Sequence, residues 1–363
     1  MSIMFNIVNV NYYIICFLGI VLCNFYDERK QKVDSKAERI FMCVSFILLT
    51  FVMMFRYTPY YADYVNYIAE YEKAAGMSLK DCFSTKAPLI FFINSKLNRY
   101  IENPQIFFIL SGLFIMYVFF RWIYKYSINK YISVITFVGL LYYSISMNIV
   151  RQYLAIAIIL LAYEILMKKF HTKSVKILLF ITVVGIACLV HTSAVVGLSL
   201  LLLNAIPIPK SSGKVFVLYI FMYLTMGRII EIALPLFYSS YDEGETYGTE
   251  SANIMGIVIP VGIIILAWIY RLYLKEDKIL VNAAMLAGIF RIYSAVGMLI
   301  IARAAEYLSV FYILLIPKLV ECVLKKFNYR SRTIIAIFFI GIYYMGMVLM
   351  HKVNYVNSFK FLF

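Results

Sequence analysis

Residues 104–124 read PQIFFILSGLFIMYVFFRWIY and contain one charged residue, Arg121. An α-helix of this length crosses the hydrocarbon core of a bilayer, which is about 30 Å thick. Similar apolar runs occur along the whole chain, which is 63% hydrophobic and 15% charged, with a mean hydropathy of +0.84. These values exclude an ordinary soluble globular protein. The sequence therefore predicts an all-α polytopic membrane protein.

Counting such runs as spans predicts about 12 transmembrane helices, in a range of 10 to 13. The first run lacks the basic start and the small-residue cleavage site of a signal peptide, so it is interpreted as a retained span. The whole chain, 1–363, is expected to be one membrane domain. The runs at 177–191 and 193–206 are short enough to form one bent hairpin. The expected spans are 5–25, 40–55, 104–124, 131–147, 150–167, 177–191, 193–206, 215–232, 253–270, 279–301, 304–324 and 333–350.

Basic residues give these spans an orientation, because Lys and Arg collect in the cytoplasmic loops of membrane proteins. The net charge of +15 is explained in this way and does not indicate a nucleic-acid partner. All the main basic clusters fall on one side of the threading, which we take as cytoplasmic, and both termini then lie outside. The clusters begin at Arg29, Arg121, Lys168, Lys210, Arg271 and Lys325.

Two long extracytoplasmic segments follow from this orientation, 56–103 and 233–252. In the first, the short apolar piece 87–93 indicates a re-entrant or surface-lying helix. The second is acidic and is interpreted as a solvated loop or lid. An amphipathic helix at the membrane surface is also predicted in the first segment, from four residues at i, i+3, i+4 and i+7: Tyr64, Tyr67, Ile68 and Tyr71.

The six cysteines do not form a C-x-x-C pair, so the sequence supports neither a disulfide framework nor a zinc site. The outer loops contain no Asp-x-Asp pair. We therefore expect a chemistry that needs no metal and no other cofactor.

Five ionisable residues are predicted at the outer ends of spans, where a bilayer penalises charge. Such residues are functional-site candidates, and a set with three arginines indicates an anionic substrate. The five are Arg56, Asp63, Arg151, His191 and Arg303.

The first three of these residues each have a structural alternative. Arg56 could extend to lipid headgroups with Asp63 as its counter-charge, although a carboxylate among tyrosines also suits sugar hydroxyls or a general base. Arg151 and Gln152 open a helix, where a guanidinium beside the positive helix terminus favours a diphosphate. The alternative for Arg151 is a purely topological role.

The remaining residues also have structural explanations. His191 ends a span beside Thr and Ser, and is either a hydrogen-bonded end residue or part of a polar cleft. Arg303 and Glu306 are expected in the turn between two spans, where their i, i+3 spacing permits an ion pair. Arg291 is expected near mid-span, paired with Glu164.

Four short motifs resemble the EpsG family of polysaccharide polymerases, which are related in function to the Wzy O-antigen polymerases. The resemblance extends from about 50 to 320. It departs from the family pattern at Tyr61-Ala62, where the family often has Gly-Thr, and at Ala87-Pro88, where an acidic residue commonly precedes the proline. The motifs are Phe55-Arg56-Tyr57 with Asp63-Tyr64-Val65-Asn66-Tyr67, Val150-Arg151-Gln152-Tyr153-Leu154-Ala155, His191-Thr192-Ser193-Ala194, and Arg303-Ala304-Ala305-Glu306-Tyr307-Leu308.

The resemblance implies a GT-C-like glycosyltransferase that polymerises undecaprenyl-diphosphate-linked oligosaccharide repeat units. The products would be O-antigen, capsular or exopolysaccharide chains, made at the outer face of the bacterial inner membrane. Membrane lipids, a chain-length regulator and a flippase are the further partners that such a role allows.

Within this role, Arg56, Arg151 and Arg303 are the expected diphosphate-binding residues. Either Asp63 or His191 is the expected base. The remaining expected substrate-binding residues are Tyr57, Tyr64, Tyr67, Gln152, Glu306 and Tyr307.

Two other functions stay open at this point. A flippase for the same lipid-linked glycan should place charged residues near the bilayer midplane. An outer-face ligase would share the use of arginine, so the sequence separates it poorly from a polymerase.

Overall fold

The computed structural model describes most of the chain and divides it into two compact units. Unit 1 contains Met1–Thr192 and Leu324–Phe363, and unit 2 contains Ser193–Val323. The expected loop 233–252 and most of the expected span 215–232 lie outside the described residues. The described residues are 6–27, 32–33, 35–58, 62–169, 172–208, 217, 220–221, 224–225, 228, 254–294, 299–350 and 358–359.

The described segments are almost entirely helical, with two short antiparallel ribbons, β1 with β2 and β3 with β4. Helices α1 to α10, α16 and the strands belong to unit 1, and α11 to α15 belong to unit 2. Short 3-10 helices occupy Cys23–Phe25, Thr192–Leu198 and Lys275–Asp277. The elements are α1 (Ile7–Leu22), β1 (Tyr26–Asp27), β2 (Lys32–Val33), α2 (Ser35–Phe55), β3 (Arg56–Tyr57), α3 (Ala62–Lys73), α4 (Leu79–Phe83), α5 (Pro88–Asn98), α6 (Gln105–Tyr126), α7 (Lys130–Gly139), α8 (Tyr142–Asn148), α9 (Val150–Met167), α10 (Lys173–Val190), α11 (Ser199–Ala205), α12 (Ile254–Ile269), α13 (Lys278–Ser294), α14 (Leu299–Ser309), α15 (Tyr312–Val323), α16 (Tyr329–Leu349) and β4 (Ser358–Phe359).

The prediction of an all-α, multi-pass membrane protein is confirmed, because six helical segments are long and apolar enough to span a bilayer. A seventh span results if α7 and α8, which are bent by 48° relative to each other, are counted together. The expected total of about 12 is not confirmed, since the described residues contain six or seven such spans, and the GT-C-like arrangement stays a prediction. Shorter apolar helices occupy Thr192–Ala205 and Ile257–Ile269. The six spans are Ile7–Phe25, Lys36–Phe55, Gln105–Tyr126, Val150–Met167, Lys173–Val190 and Tyr329–Leu349.

Span boundaries in unit 1 follow the apolar runs closely. The run at 104–124 becomes α6, and the run at 150–167 becomes α9. The run at 177–191 is extended at its start, because α10 begins at Lys173. With 18 residues, α10 is long and apolar enough to span a bilayer by itself.

The predicted span at 131–147 is interrupted between α7 and α8. Leu141 adopts a left-handed conformation with a φ of 68°, which costs a non-glycine residue roughly 1–3 kcal/mol. Helix α8 starts after this break and ends at Asn148, and carbonyls at the C-terminus of a helix can lack a backbone partner one turn further along. One of these carbonyls, at Met147, accepts a hydrogen bond from Arg56.

The predicted turn at Arg303 is wrong. Arg303 lies inside α14, and the helix boundaries fall on either side of it, at Ser294 and at Tyr312. The segment around Arg303 is rich in alanine, which has the highest helix propensity of all residues. It contains neither glycine nor proline, so nothing in its sequence stops a helix.

Helix α2 packs against α6, α6 against α9, and α9 against α10. The approach of α6 to α2 is close at Gly112, where an added Cβ atom would lie 3.3 Å from Cγ of Met53. Because α9 and α10 follow each other through a short connection, the C-terminus of α10 lies at the same end of unit 1 as the N-terminus of α9.

One end of unit 1 carries a group of ion pairs. Glu164 accepts hydrogen bonds from Arg121 and from Nζ of Lys125, the latter at 3.0 Å. Lys130 pairs with Glu38 at 3.1 Å. These residues lie near the C-termini of α6 and α9 and near the N-terminus of α2, so the opposite ends of the same helices are available for a different kind of site.

Candidate functional site

Arg56 directly follows α2, and its side chain is only 1% exposed. Its guanidinium donates hydrogen bonds to the carbonyl oxygens of Met53 and Met147, the latter at 2.8 Å. It also lies 5.1 Å from the ring centroid of Phe108, within cation–π distance. A guanidinium held in this way does not extend to lipid headgroups, so the structural alternative considered for Arg56 is excluded.

The charge of Arg56 persists despite its burial. Burial lowers the pKa of Arg56 to about 10, while neighbouring tyrosine side chains act in the opposite direction. Arg56 is therefore still a cation at neutral pH. Its Nε atom is buried and has no hydrogen-bond partner among the residues that the structure describes.

The predicted amphipathic helix is confirmed as α3, although its aromatic face packs on protein. The ring of Tyr64 stacks on Phe108, with centroids 4.5 Å apart, and Tyr67 lies 5.5 Å from Phe107. Tyr71 is also buried, and its hydroxyl donates to the carbonyl of Ile101. The expectation that this face lies on the membrane surface is therefore wrong, because the N-terminal aromatic residues of α6 cover it.

Arg151 lies in the first turn of α9 and faces α3. Its Nη1 donates to Oε1 of Glu70 at 2.8 Å, and its guanidinium carbon is 5.4 Å from the ring centroid of Tyr67. The Arg151 side chain remains 26% exposed. Neither Nε of Arg151 nor Oε2 of Glu70 has a hydrogen-bond partner within the described part of the chain. Both charged groups therefore have bonding capacity left.

Arg56 and Arg151 belong to one group of side chains. Tyr57 lies edge-on to Tyr64, with centroids 6.0 Å apart, and Tyr64 and Tyr67 both contact Phe108. We call this group the arginine–tyrosine cluster. It consists of Arg56, Tyr57, Tyr64, Tyr67, Glu70 and Arg151.

The protonation of the cluster follows from burial. Burial raises the pKa of Tyr64 and of Tyr67 to about 12, so both hydroxyls stay protonated. Burial also raises the pKa of the Glu70 carboxyl, and the charge of Asp63 adds to this effect, while Arg151 opposes it. Asp63 is half-buried in the first turn of α3, one turn before Tyr67, and is therefore close to the cluster.

Glu70 is the member of the cluster that the sequence did not single out. The sequence predicts a helix that contains Glu70, but it does not indicate which other helix packs against it. The i, i+3 spacing of Tyr67 and Glu70 places both on one side of α3, and this is the only sequence signal that links Glu70 to the site.

Two further predicted residues lie at the same end of unit 1. Gln152 is buried beside Arg151 in the first turn of α9. His191 is half-buried at the C-terminus of α10, where its backbone N–H donates to the carbonyl of Ala187 at 3.0 Å. Because α9 and α10 are antiparallel, His191 and Arg151 lie at the same end of the unit.

Unit 2 contains the other predicted residues. Arg291 lies in the last turn of α13 and pairs with Glu306 on α14. The prediction that Arg291 lies near mid-span and pairs with Glu164 is therefore wrong. Glu306 has an ion-pair partner on the neighbouring helix, Arg291. The i, i+3 spacing of Arg303 and Glu306 permits a pair on one helix, but the neighbouring helix supplies a partner to the buried Glu306 carboxylate.

Residues from two of the sequence motifs are in contact in unit 2. Oγ of Ser193 lies 3.1 Å from the hydroxyl of Tyr307, and both residues are buried. Ser193 belongs to the motif that begins at His191, and Tyr307 to the motif that begins at Arg303. Arg303 itself is half-buried on α14, one helical turn before Tyr307.

A comparison with known protein families gives one clear match. The model of the EpsG family matches residues 39–361, which is most of the chain. The matched range includes every residue predicted from the sequence to belong to the site, as well as Glu70. No curated protein matches the chain, and no solved structure matches it.

Proposed function

Because the chain belongs to the EpsG family, we propose that it is a glycosyltransferase that polymerises oligosaccharide repeat units carried on undecaprenyl diphosphate. The family indicates the coarser role, that of a membrane polysaccharide polymerase. In the proposed reaction, the bond between the anomeric carbon of the donor glycan and the lipid diphosphate breaks, and the diphosphate leaves with the electron pair. The acceptor hydroxyl, on a second lipid-linked unit, forms the new glycosidic bond and loses its proton to a base.

One observation carries this proposal: Arg56 and Arg151 lie in one tyrosine-lined cluster at a single end of unit 1. The cluster is near the N-terminus of α6, whereas Arg121 lies 13 residues after Phe108 on the same helix, about 20 Å away at 1.5 Å per residue. The positive-inside rule assigns the end with Arg121, Lys125 and Lys130 to the cytoplasm. The cluster then lies at the outer face.

The two arginines would act on the diphosphate in different ways. Arg151 is partly exposed, and a diphosphate that replaces Glu70 as its partner would form charge-assisted hydrogen bonds with the guanidinium. Arg56 is buried, including its Nε atom, so its charge would act on the diphosphate through space. Fixed cations that meet developing charge in a poorly solvated site stabilise the transition state strongly. Arg303 is proposed as a third diphosphate-binding residue.

The acceptor sugar would be held by groups around the cluster. The protonated hydroxyls of Tyr64 and Tyr67 can donate hydrogen bonds, and Tyr57 adds an aromatic surface. Gln152, at the same end of unit 1, is proposed to bind the substrate through its side-chain amide. In unit 2, Glu306 and Tyr307 are proposed to bind substrate.

Asp63 is the proposed base, with His191 binding substrate. Asp63→Asn is expected to lower the turnover number by about 100-fold or more, the usual contribution of a general base, with little change in KM. His191→Gln is expected to raise KM while largely preserving turnover. Steady-state kinetics of the purified variants check both expectations. If turnover falls in His191→Gln and not in Asp63→Asn, the two assignments are reversed and the proposal for Asp63 fails.

The function itself is tested by the glycan that accumulates on the lipid carrier in a strain lacking this chain. We expect single repeat units on the carrier and on the final acceptor, and we expect the wild-type chain to restore long polymers. Absence of any surface glycan would indicate a flippase instead, and unattached polymer would indicate a ligase. Either of these outcomes would overturn the proposal.

Among the described residues, the two charges on which the flippase alternative depends do not support it. That alternative depends on charges near the bilayer midplane, for which Arg291 and Glu164 were the expected residues. Both lie in the last turns of their helices, and both are neutralised by ion pairs.

A further inference from the structure

An apolar groove with a volume of about 220 Å³ lies between α5, α6, α9 and α10 in unit 1. All of the side chains that line it are apolar except Asn94 and Ser111. The Ser111 hydroxyl is already engaged, because it donates to the carbonyl of Phe107 at 2.6 Å. The groove is therefore suited to a hydrocarbon ligand rather than to a sugar.

The groove begins beside the arginine–tyrosine cluster. Phe107 lines the groove and also contacts the ring of Tyr67, which lies under the guanidinium of Arg151. Leu154, another lining residue, follows Arg151 by one helical turn on α9. Val190 lines the groove and directly precedes His191. Polar residues therefore lie at the start of the groove on two helices, Arg151 on α9 and His191 at the end of α10.

The groove extends away from the cluster along α6. Its lining residues on this helix run from Phe107 to Phe114, a distance of about 10 Å at 1.5 Å per residue. Leu110, between them, is 42% exposed, so the groove is accessible from the side. A ligand that matches this arrangement has an anionic head joined directly to a long apolar chain.

We propose that this groove binds the first isoprene units of the lipid carrier, next to the diphosphate. This inference rests on the proposed function, which supplies an isoprenoid diphosphate as the substrate. Binding of the chain would place the diphosphate at Arg151 and the anomeric carbon beyond it, toward the tyrosines. The groove would thus fix the position of the leaving group before the acceptor arrives.

The test compares two leucines on α6 that differ in their relation to the groove. Leu110 lines it, whereas Leu113, which is 43% exposed, is not among its lining residues. Purified full-length chain in phosphatidylcholine nanodiscs is titrated with farnesyl diphosphate and with inorganic diphosphate. We expect Leu110→Trp to raise the Kd for farnesyl diphosphate about tenfold, the equivalent of roughly two methylenes excluded from the groove. We expect Leu113→Trp to leave this Kd unchanged.

The outcomes distinguish binding of the apolar chain in the groove from binding of the diphosphate at Arg151. Equal affinity of wild type and Leu110→Trp for farnesyl diphosphate, or no measurable binding by the wild type, would overturn the groove proposal. Equal competition by dioleoyl phosphatidic acid would overturn it too, because the groove would then be a general phospholipid site. If Leu110→Trp weakens binding and Arg151→Ala does not, the groove proposal stands and the assignment of Arg151 to the diphosphate fails.

Discussion

Replacing Arg151 with alanine is expected to reduce the rate of polymer formation about 100-fold, the usual effect of removing one group that stabilises developing negative charge. Arg151 has the partly exposed guanidinium of the arginine–tyrosine cluster, and its Nε has no partner within the described chain. The measurement is the length distribution of the glycan in a strain that carries only the variant. The amount of variant in the membrane is determined in parallel.

Glu70→Gln is the matched control for this prediction. It removes the same ion pair but leaves the guanidinium of Arg151 in place. A partly exposed ion pair contributes little to stability, so we expect Glu70→Gln to retain polymer formation within about threefold, a loss of well under 1.4 kcal/mol. If Arg151 only held α3 against α9, the two variants would lose polymer to the same extent, and the proposed role in substrate binding would be wrong.

Replacing Arg56 with alanine is expected to lower the free energy of unfolding by about 2–4 kcal/mol, because it leaves buried carbonyls unpaired and opens a cavity. The carbonyls belong to Met53 and Met147, and the cavity would form beside Phe108. Polymer formation is expected to fall as well, since the variant lacks one of the two cations of the cluster. Thermal unfolding of the purified chain in detergent measures the first effect.

Arg99→Ala provides the control for Arg56→Ala. Arg99 is an exposed arginine at the end of α5, in the same long segment between α2 and α6. Its removal is expected to change the free energy of unfolding by less than about 0.5 kcal/mol, as for most exposed positions. Equal unfolding temperatures for Arg56→Ala and wild type would contradict the buried position of Arg56.

The parts of the fold that depend on local sequence were predicted well. The apolar runs of α6 and α9 are long and uninterrupted, and their boundaries agree with the structure to within two residues. Helix α3 was predicted from the spacing of its tyrosines, because a 3.6-residue period is visible in one sequence. The two arginines at helix ends were singled out because charge is rare at such positions.

The parts that depend on contacts between helices were not predicted. Glu70 was missed because nothing in its sequence neighbourhood indicates that α3 would face Arg151. The ion pair between Glu306 and Arg291 on α13 was not predicted, because residue spacing on one helix does not indicate contacts with a neighbouring helix. The break at Leu141 follows Gly139, the last residue of α7, but one glycine inside an apolar run does not by itself predict a helix end, so the chain was expected to continue as one helix.

The central claim is that this chain joins lipid-diphosphate-linked glycans with the help of Arg151. The most direct measurement places the purified chain in proteoliposomes with lipid-diphosphate-linked repeat units and no nucleotide sugar, and follows the products with time. We predict a ladder of polymers from the wild type and a rate about 100-fold lower from Arg151→Ala. Repeat units that remain unjoined with the wild type, or a wild-type rate from Arg151→Ala, would contradict the claim.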